Sequence, residues 1–294
     1  MGQGKVEGII WGKNMNTTDS VMINTNYQEW KKKRQKEQLN YLLLCGCGIL
    51  IFFGLWQAAV SLRIADAKLL PAPVQVFETI IQKVYQKEPD GNVLLANILA
   101  SLQVALSGFL LALLIGIPLG LVMGWYRLAE AFFRPIFELV RPIPPIAWIP
   151  LVVVWLGIGL KAKALIIFFS AFVPCVINAY TGIRLTNQTY INVAKTFGAS
   201  ETEIFYKVGI PSSLPMVFAG IRVALGNSWS TLVAAEMLAA TAGLGYMIQF
   251  GRTIARPDLV IAGMVVIGVI GAVLSAVLSS AENHFVKGRK NANN

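Results

Sequence analysis

Six long apolar runs constrain this chain more than any other feature of its sequence. They lie near residues 41–62, 98–124, 132–158, 163–183, 213–238 and 259–282. Each run is close to the roughly twenty residues that a helix needs to cross the hydrocarbon core of a bilayer. A soluble domain cannot bury so many runs of this length without exposing large apolar patches. The sequence therefore predicts an all-α membrane protein with about six transmembrane helices.

Charge placement supports this reading. The net charge of +10 does not indicate a nucleic-acid-binding protein, because the basic residues are not gathered on one soluble surface. Basic clusters stand directly before the first run (31–36) and after the last (287–290). On a six-span model, fifteen Lys and Arg residues fall on one side of the membrane and eight on the other. This asymmetry predicts a multi-pass protein of the bacterial cytoplasmic (inner) membrane with both termini in the cytoplasm.

The domain organisation follows from the same pattern. Residues 1–38 are polar and predict a cytoplasmic N-terminal arm, residues 39–285 form the transmembrane domain, and residues 286–294 form a basic cytoplasmic tail. The first apolar run resembles a signal peptide, but it exceeds the usual h-region of about 7–15 residues, so we expect a retained helix. Between the first two spans, apolar residues at helical spacing (76, 77, 80, 81 and 84) predict a short interfacial helix on the outer surface.

Small residues recur at four-residue spacing in three of the spans. The stripes are Gly116, Gly120 and Gly124; Gly220, Ala224 and Ser228; and Gly268, Ala272, Ala276 and Ser280. Such stripes let helix backbones approach closely and favour a tight bundle. The alternative is that they reflect only the general abundance of small residues in membrane helices.

The third span is interrupted by Arg141-Pro142-Ile143-Pro144-Pro145. Three prolines remove three backbone donors and kink the chain. Irregular backbone at membrane depth is tolerated where protein or a water-filled cavity surrounds it. This segment is therefore a candidate wall of a transport pathway.

Charged residues inside the spans each require a physical reason, because a charge at the bilayer centre costs about 2.5–3.5 kcal/mol on insertion scales. Arg141 either pairs with Glu138 three residues away or binds an oxyanion, and Arg222 either extends to the interface or binds the same group. For the uncharged polar candidates, hydrogen bonding between helices is the competing reading. The substrate-pathway candidates are Arg141, Pro144, Trp148, Arg222, Asn227, Ser230 and Glu236, with Ser228 and Thr231 as weaker additions.

One polar loop, residues 186–212, separates the fourth and fifth spans. Its pattern predicts a helix over 187–197, a left-handed turn at Gly198, and a second helix that starts at the capping-box sequence from Ser200 to Glu203. Ile204, Phe205 and Val208 form an apolar ridge on the second helix. Either the bundle or a partner must cover this ridge.

The loop resembles the Glu-Ala-Ala loop of bacterial ATP-binding-cassette (ABC) importer permeases. The resemblance rests on Asn192-Val193-Ala194, Gly198 and Val208-Gly209-Ile210-Pro211, although Asn192 and Val193 replace the family's Glu and Ala. The segments 138–150, 155–159 and 229–238 resemble the taurine, alkanesulfonate, nitrate and bicarbonate branch of that family.

This resemblance implies a type I ABC importer permease fold that works by alternating access. It implies a homodimer, two ATP-binding subunits that hold ATP and Mg²⁺, and an external substrate-binding protein; the cargo is taurine or a related sulfonate, or else nitrate or bicarbonate. The loop residues implied to couple to the ATPase are Asn192, Ala194, Gly198, Ala199, Ile204, Phe205 and Pro211. The chain has no Gly-x-x-x-x-Gly-Lys-Ser/Thr phosphate loop, so no ATP site or cofactor of its own is expected.

Two other classes compete with an importer permease. A stand-alone secondary transporter or channel would show inverted repeats, and no clear repeat relates the two halves. A membrane enzyme would need catalytic or metal-binding constellations. The three cysteines (45, 47 and 175) lie in apolar runs and the chain has one histidine (284), so neither a metal site nor a disulfide framework is indicated.

Overall fold

The computed structural model describes residues 36–37, 40–41, 43–44, 46–48, 50–62 and 69–285. The predicted arm lies almost entirely outside these residues, and the predicted tail lies outside them altogether. Residues 1–65 and 66–294 form separate compact units. In the first unit, residues 50–61 are helical, and Phe53 stacks on Trp56 with ring centroids 6.0 Å apart.

The second unit consists of helices and turns in the part of the chain that the structure describes. Its α-helices are α1 Pro73–Tyr85, α2 Leu94–Trp125, α3 Arg127–Val140, α4 Ile149–Leu156, α5 Leu160–Arg184, α6 Gln188–Thr196, α7 Glu201–Ile204, α8 Ile210–Ala239, α9 Leu244–Thr253 and α10 Pro257–Phe285. A 3₁₀ turn, Pro145–Trp148, precedes α4, and a π-helical turn, Phe205–Gly209, joins α7 to α8.

Four helical runs among the described residues are long and apolar enough to cross a membrane: α2, α5, Glu201–Leu238 and α10. A fifth span results if α3 and the Pro145–Leu156 segment count as one bent pair. These five correspond to the second to sixth predicted spans. The first predicted span, 41–62, lies only partly within the described residues.

The predicted break in the third span is confirmed. Helix α3 ends at Val140, and the Pro145–Leu156 segment continues at an angle of 81° to it. Pro142, Pro144 and Pro145 cannot donate backbone hydrogen bonds, so the helix cannot continue through them. The predicted single run of 132–158 is therefore two helices with a sharp corner between them.

Close approach of α2 to α5 forms the centre of the bundle. A Cβ added at Gly120 would lie 2.5 Å from the Val176 carbonyl oxygen, and one at Gly124 would lie 2.4 Å from Cγ2 of Ile183. On the other side of α5, a Cβ at Gly220 of α8 would lie 2.5 Å from Cβ of Asn178. Only glycine allows these backbones to approach so closely, which confirms the prediction for the first two stripes.

The third stripe of small residues, on α10, does not form such a close contact. A Cβ added at Gly268 of α10 would meet no atom within 4 Å, and Ala272, Ala276 and Ser280 are exposed. For α10, the prediction of tight packing is therefore wrong within one chain. The close contact of α10 is made by its other face, where a Cβ added at Gly271 would lie 2.9 Å from Nε1 of Trp229.

Two short helices complete the second unit. Helix α1 confirms the predicted amphipathic helix: Phe77 and Ile81 are exposed while Val76 is buried. Lys83, which the sequence pattern places with the polar residues of this helix, is in fact buried. Helix α9 was not predicted, because its ten residues carry too short an apolar pattern to stand out between two spans.

The glycine contact between α2 and α5 yields a stability prediction. We expect Gly120→Ala to destabilise the bundle by about 1–3 kcal/mol, because the new methyl group overlaps backbone that cannot move aside easily. The melting temperature of the purified protein, followed by tryptophan fluorescence, measures the effect. The control is Gly268→Ala, where a methyl group has open space, and equal melting temperatures for the two variants would contradict the packing argument.

Candidate functional site

The loop between α5 and α8 has the predicted helix-turn-helix geometry. The Asn187 side chain accepts a hydrogen bond from the Thr189 backbone N–H at 2.8 Å and so starts α6. Gly198 has a φ of +79°, a left-handed conformation that favours glycine, and it ends the helix. Ser200 and Glu203 then form a reciprocal capping box. Both helices of the loop therefore have defined ends.

The bundle covers most of the apolar ridge of this loop. Ile204 and Phe205 are almost completely buried, and the Phe205 ring lies 5.6 Å from the ring of Trp125. Phe205 also lies 5.6 Å from Tyr126. Of the two alternatives for covering this ridge, the structure shows the bundle at Ile204 and Phe205, and Phe205 attaches the loop to the end of α2.

Other loop residues remain at the surface. Phe197 is 85% exposed, and Tyr190 and Val193 are also exposed. Asn192 and Pro211 are exposed too, whereas Ala194 and Ala199 are half-buried. Large apolar side chains exposed together on a loop are typical of an interaction surface.

Glu236 lies in a buried polar network. Its carboxylate accepts a hydrogen bond from the Gly245 backbone N–H at 2.9 Å, and the Ser101 hydroxyl lies 2.8 Å from Oε1 and 2.9 Å from Oε2. Ser101 Oγ also accepts from the Leu244 N–H at 2.8 Å. Glu236 is 1% exposed. Contrary to the prediction, it does not line an open pathway but joins the start of α9 to α2 and α8.

The network continues to α1. The Asn97 side chain accepts from the Gly243 N–H at 3.1 Å and donates to Asp90 Oδ2 at 2.8 Å. Asp90 in turn forms a buried ion pair with Lys83. A buried charge without a partner is costly, so this pairing explains why Lys83 points into the protein.

Both predicted pathway arginines have acidic neighbours. Arg141 Nη1 lies 3.6 Å from Glu138 Oε2, and both side chains are about half exposed. Arg222 of α8 forms an ion pair with Glu282 of α10. Arg141 therefore has the ion pair that its structural alternative predicted, whereas the pairing of Arg222 with Glu282 was not predicted; both arginine side chains remain about half exposed.

The proline corner holds two further candidates. Pro144 is exposed and precedes the 3₁₀ turn. Trp148 stacks on Phe169 of α5 with ring centroids 5.0 Å apart. A cavity of about 210 Å³ lies beside this pair and is lined mainly by aromatic and aliphatic side chains, with Arg141 as its one charged residue.

The polar residues of α8 divide between two faces. Thr231 is buried and hydrogen-bonds to Ser170 of α5 at 2.8 Å, and Ser228 is buried as well. Asn227 and Ser230 are exposed together with Gly226. The Ser230 hydroxyl donates to the Gly226 carbonyl, whereas the Asn227 side chain has no hydrogen-bond partner among the described residues. A hydrogen bond between helices thus explains why a polar residue lies at Thr231. No such bond explains the polar residue Asn227.

A family model now decides the class of this chain. The model is described as the inner membrane component of binding-protein-dependent transport systems, and it matches residues 112–291. The chain belongs to this family of ABC importer permeases. Family membership implies ATP-hydrolysing and substrate-binding partner proteins, and it sets aside the stand-alone secondary transporter or channel.

Named relatives of this chain are themselves transport permeases. It is 34% identical to the taurine transport system permease protein TauC of Escherichia coli over 90% of this chain and 96% of that protein. It is 32% identical to the nitrate import permease protein NrtB of Leptolyngbya laminosa, covering 78% and 82% of the two chains. The permease is also 29% identical to SsuC of Bacillus subtilis, which is named for aliphatic sulfonates transport, over 90% of this chain and 94% of that protein.

A solved structure supports the fold of the permease. A chain of the MetNI methionine ABC transporter, in inward-facing conformations, aligns with a TM-score of 0.53 and 20% identity over 66% of this chain and 94% of that chain. At this identity the similarity concerns the fold alone. It agrees with the predicted type I importer permease fold.

Sequence reasoning missed most of the network around Glu236. Asn97 and Ser101 are one helical turn apart at the start of an apolar helix, a spacing that places both on one face. This spacing is the sequence signal that could have predicted the network, since isolated polar residues in a membrane helix indicate a buried partner. The backbone N–H groups of Gly243 and Leu244, which donate to Asn97 and Ser101, carry no side-chain signature.

The network predicts how the permease responds to changes at Glu236. We expect Glu236→Leu to lower the melting temperature strongly, because the Gly245 N–H and the Ser101 hydroxyl lose their partner, at about 1–3 kcal/mol for each buried group. Glu236→Gln retains an acceptor and a donor and should cost much less. Thermal unfolding of the purified permease measures both. Glu138→Leu, at an exposed glutamate, is the control, and equal losses for the Gln and Leu variants at 236 would contradict this account.

Proposed function

We propose that the permease acts as a homodimer with two ATPase subunits and an external binding protein, and that it imports a small anionic or zwitterionic solute by alternating access. The observation that carries this proposal is the loop of residues 186–212, with its capped helices, which presents exposed apolar side chains outside the bundle. ATP and Mg²⁺ bind to the partner ATPase subunits and not to this chain. Both termini and this loop lie on the cytoplasmic side.

The geometry of the loop supports a role in coupling. Asn192, Ala194, Gly198 and Ala199 form the helix and turn that carry Phe197 at the surface. Ile204 and Phe205 clamp the second helix to the end of α2, and Pro211 opens α8. Because the π-helical turn continues directly into α8, a push on the loop moves this span as a unit. ATP-driven movement of the ATPase is thereby transmitted to the transmembrane helices.

The exposed polar face of α8 supports a dimer with a pathway between the two copies. Asn227 and Ser230 lie in the interior of a spanning helix, and an amide without a partner is costly in hydrocarbon. A second copy or a water-filled pathway satisfies such a face, whereas lipid does not. Arg222 lies one turn away on the same helix and adds an accessible guanidinium group. These residues are the pathway wall that the proposal assigns to α8.

The cargo assignment rests on relatives and on chemistry. TauC is named for taurine and SsuC for aliphatic sulfonates, so a sulfonate is the first choice; NrtB is named for nitrate, so nitrate, with bicarbonate, is the second. Sulfonate is tetrahedral at sulfur, whereas nitrate and bicarbonate are planar, but each presents a pair of oxygens that guanidinium binds with paired donors. Uptake of radiolabelled taurine and nitrate by the reconstituted complex tests this assignment.

The role of the loop can be tested at its most exposed aromatic residue. We expect Phe197→Asp to reduce recovery of the ATPase subunits with the tagged permease by at least about tenfold, because a charge replaces an apolar side chain at a buried interface. The melting temperature should not change, since Phe197 makes no core contact. Ile254→Asp, at the opposite end of the bundle, is the control. Full ATPase recovery with Phe197→Asp would contradict the docking role.

The dimer is tested by cross-linking along α8. In a variant with alanine at the three cysteine positions, we expect Gly226→Cys to form covalent dimers with a short bifunctional maleimide, because position 226 lies on the polar face assigned to the second copy. The control is Val269→Cys, at an exposed apolar position of α10 that we assign to lipid. Gel mobility of membranes measures the yield. Equal yields at both positions would argue against this interface.

A further inference from the structure

The loop-side end of α3 carries a group of arginines that neither the coupling loop nor the pathway along α8 uses. Arg127 and Arg134 are seven residues apart on α3, a spacing that returns to within about 20° of the same helix face. Arg184, the last residue of α5, joins them. These three side chains line an open hollow of about 810 Å³. The other residues that line it are Glu130, Ala131, Pro135 and Glu138.

Glu130 holds two of these arginines in place. Its Oε1 accepts a hydrogen bond from Arg134 at 3.0 Å, and its Oε2 accepts one from Arg184 at 3.1 Å. Tyr180 of α5 donates its hydroxyl hydrogen bond to Oε1 at 2.6 Å, and its ring centroid lies 5.6 Å from the guanidinium carbon of Arg184. A guanidinium group has five N–H donors, and these contacts use one nitrogen of each. Both arginine side chains remain more than half exposed, so further donors are accessible in the hollow.

The hollow has an excess of positive charge. Three arginines line it against two glutamates, and Glu138 lies beside a further arginine outside the hollow, Arg141. Arg127 is exposed and has no ion pair within the part of the chain that the structure describes. Guanidinium groups bind phosphate oxygens with paired, charge-assisted hydrogen bonds. The side chains of this hollow therefore suit a phosphate group.

The hollow lies where two spans end. Arg184 immediately precedes the loop of residues 186–212, and Arg127 follows the end of α2 at Trp125. The aromatic side chains of Trp125, Tyr126 and Tyr180 stand at this end of the bundle, and such side chains are enriched where hydrocarbon meets water. On the cytoplasmic side, to which we assign the loop, basic pockets between spans bind anionic lipid headgroups. The hollow is therefore at the level of the lipid phosphates.

Helix α3 also brings lipid next to the hollow. Apolar residues recur along its other face at intervals of three or four residues, and each is more than half exposed: Leu128, Phe132, Ile136 and Leu139. Ala131 and Pro135 lie between this apolar face and the arginines, so the hollow has an uncharged side that opens towards the acyl chains.

The hollow is distinct from the pathway wall assigned to α8. On α5, Tyr180 and Arg184 contact α3, whereas Asn178 packs against Gly220 of α8. Different sides of α5 therefore serve the arginine hollow and α8. A solute that passes along the polar face of α8 does not need these arginines.

We propose that this hollow binds the phosphate group of an anionic phospholipid of the cytoplasmic leaflet. Arg127 and Arg184 donate to the phosphate oxygens from two different helices, and Arg134 adds a third positive charge on the same face of α3. Glu130 is a positioning residue, because it orients Arg134 and Arg184. Since Arg184 is the last residue before the loop, a bound headgroup also fixes the point at which the loop begins. The site goes beyond the proposed function and does not depend on the cargo.

Protection of a cysteine in the hollow tests this site. The complex of permease and ATPase subunits, with alanine at the three cysteine positions, receives a single cysteine at Ala131 and is placed in phosphatidylcholine nanodiscs. Phosphatidylglycerol then replaces a rising fraction of the phosphatidylcholine. The probe is N-ethylmaleimide, which carries no charge and is therefore not repelled by the anionic lipid. The matched control is Leu128→Cys, which lies one helical turn away on the apolar face of α3.

We expect phosphatidylglycerol to slow labelling of Ala131→Cys at least about fivefold relative to Leu128→Cys, because one basic residue near an anionic lipid surface contributes roughly that factor to binding. Adding Arg127→Gln should raise the phosphatidylglycerol fraction needed for half-protection by about the same factor. Arg252→Gln, at an exposed arginine on the opposite end of the bundle, should not change it. Equal slowing at positions 131 and 128, or a half-protection fraction that Arg127→Gln leaves unchanged, would overturn the proposal.

Two further arms identify other occupants of the hollow. If inorganic phosphate protects Ala131→Cys in pure phosphatidylcholine as well as phosphatidylglycerol does, the site takes a soluble phosphate compound and the lipid assignment is wrong. If Ala131→Cys does not react in pure phosphatidylcholine, a partner subunit or a second copy covers the hollow, which also overturns the proposal. Failure of the complex to import taurine or nitrate would count against the cargo assignment alone, because the labelling rates do not require transport.

Discussion

The close contact between α2 and α5 is the interaction on which the rest of the structure depends. Glycines at 108, 120 and 124 let the two backbones meet with no side chain between them. Lipid chains are as apolar as helix side chains, so the hydrophobic effect contributes little free energy to helix association in a membrane. The dispersion energy of this close contact stabilises the helix pair instead. Both ends of α2 are then fixed points to which other segments attach. Ser101 and Asn97 lie near its start, and Trp125 lies at its end.

These fixed points connect the two sides of the permease. At the start of α2, the network of Ser101 and Glu236 holds the turn before α9 and the last residues of α8. At the other end, Trp125 and Tyr126 hold Phe205, and through it the loop. Helix α8 is therefore attached to α2 at both of its ends, so movement of the loop relative to α2 must change how α8 lies in the bundle. This arrangement suits a subunit that converts a push from an ATPase into a change of access.

Most polar groups discussed above belong to one of two physical classes; Ser228, which is buried without a hydrogen-bond partner, belongs to neither. Glu236, Ser101, Asn97 and Thr231 are enclosed, and each has hydrogen-bond partners within the chain. Asn227, Ser230 and the arginines of α3 are accessible, although lipid tails cannot satisfy them. Enclosed groups specify how the helices pack, while accessible ones indicate water, a second copy, a lipid headgroup or a solute. The distinction depends on burial and not on residue type, since Glu236 and Arg141 are equally unusual in a span.

The sequence by itself determined the membrane class, the approximate spans, the proline corner, the capped loop and the family, because each depends on local periodicity, on residues with special backbone geometry, or on a short motif. Only the tertiary structure decided that Glu236 is enclosed, that Phe205 faces the bundle, and that Lys83 points inward. These facts depend on partners distant in the chain, often backbone N–H groups without a signature of their own. Burial is a property of what surrounds a residue, and one helix pattern does not specify which neighbour covers each of its faces.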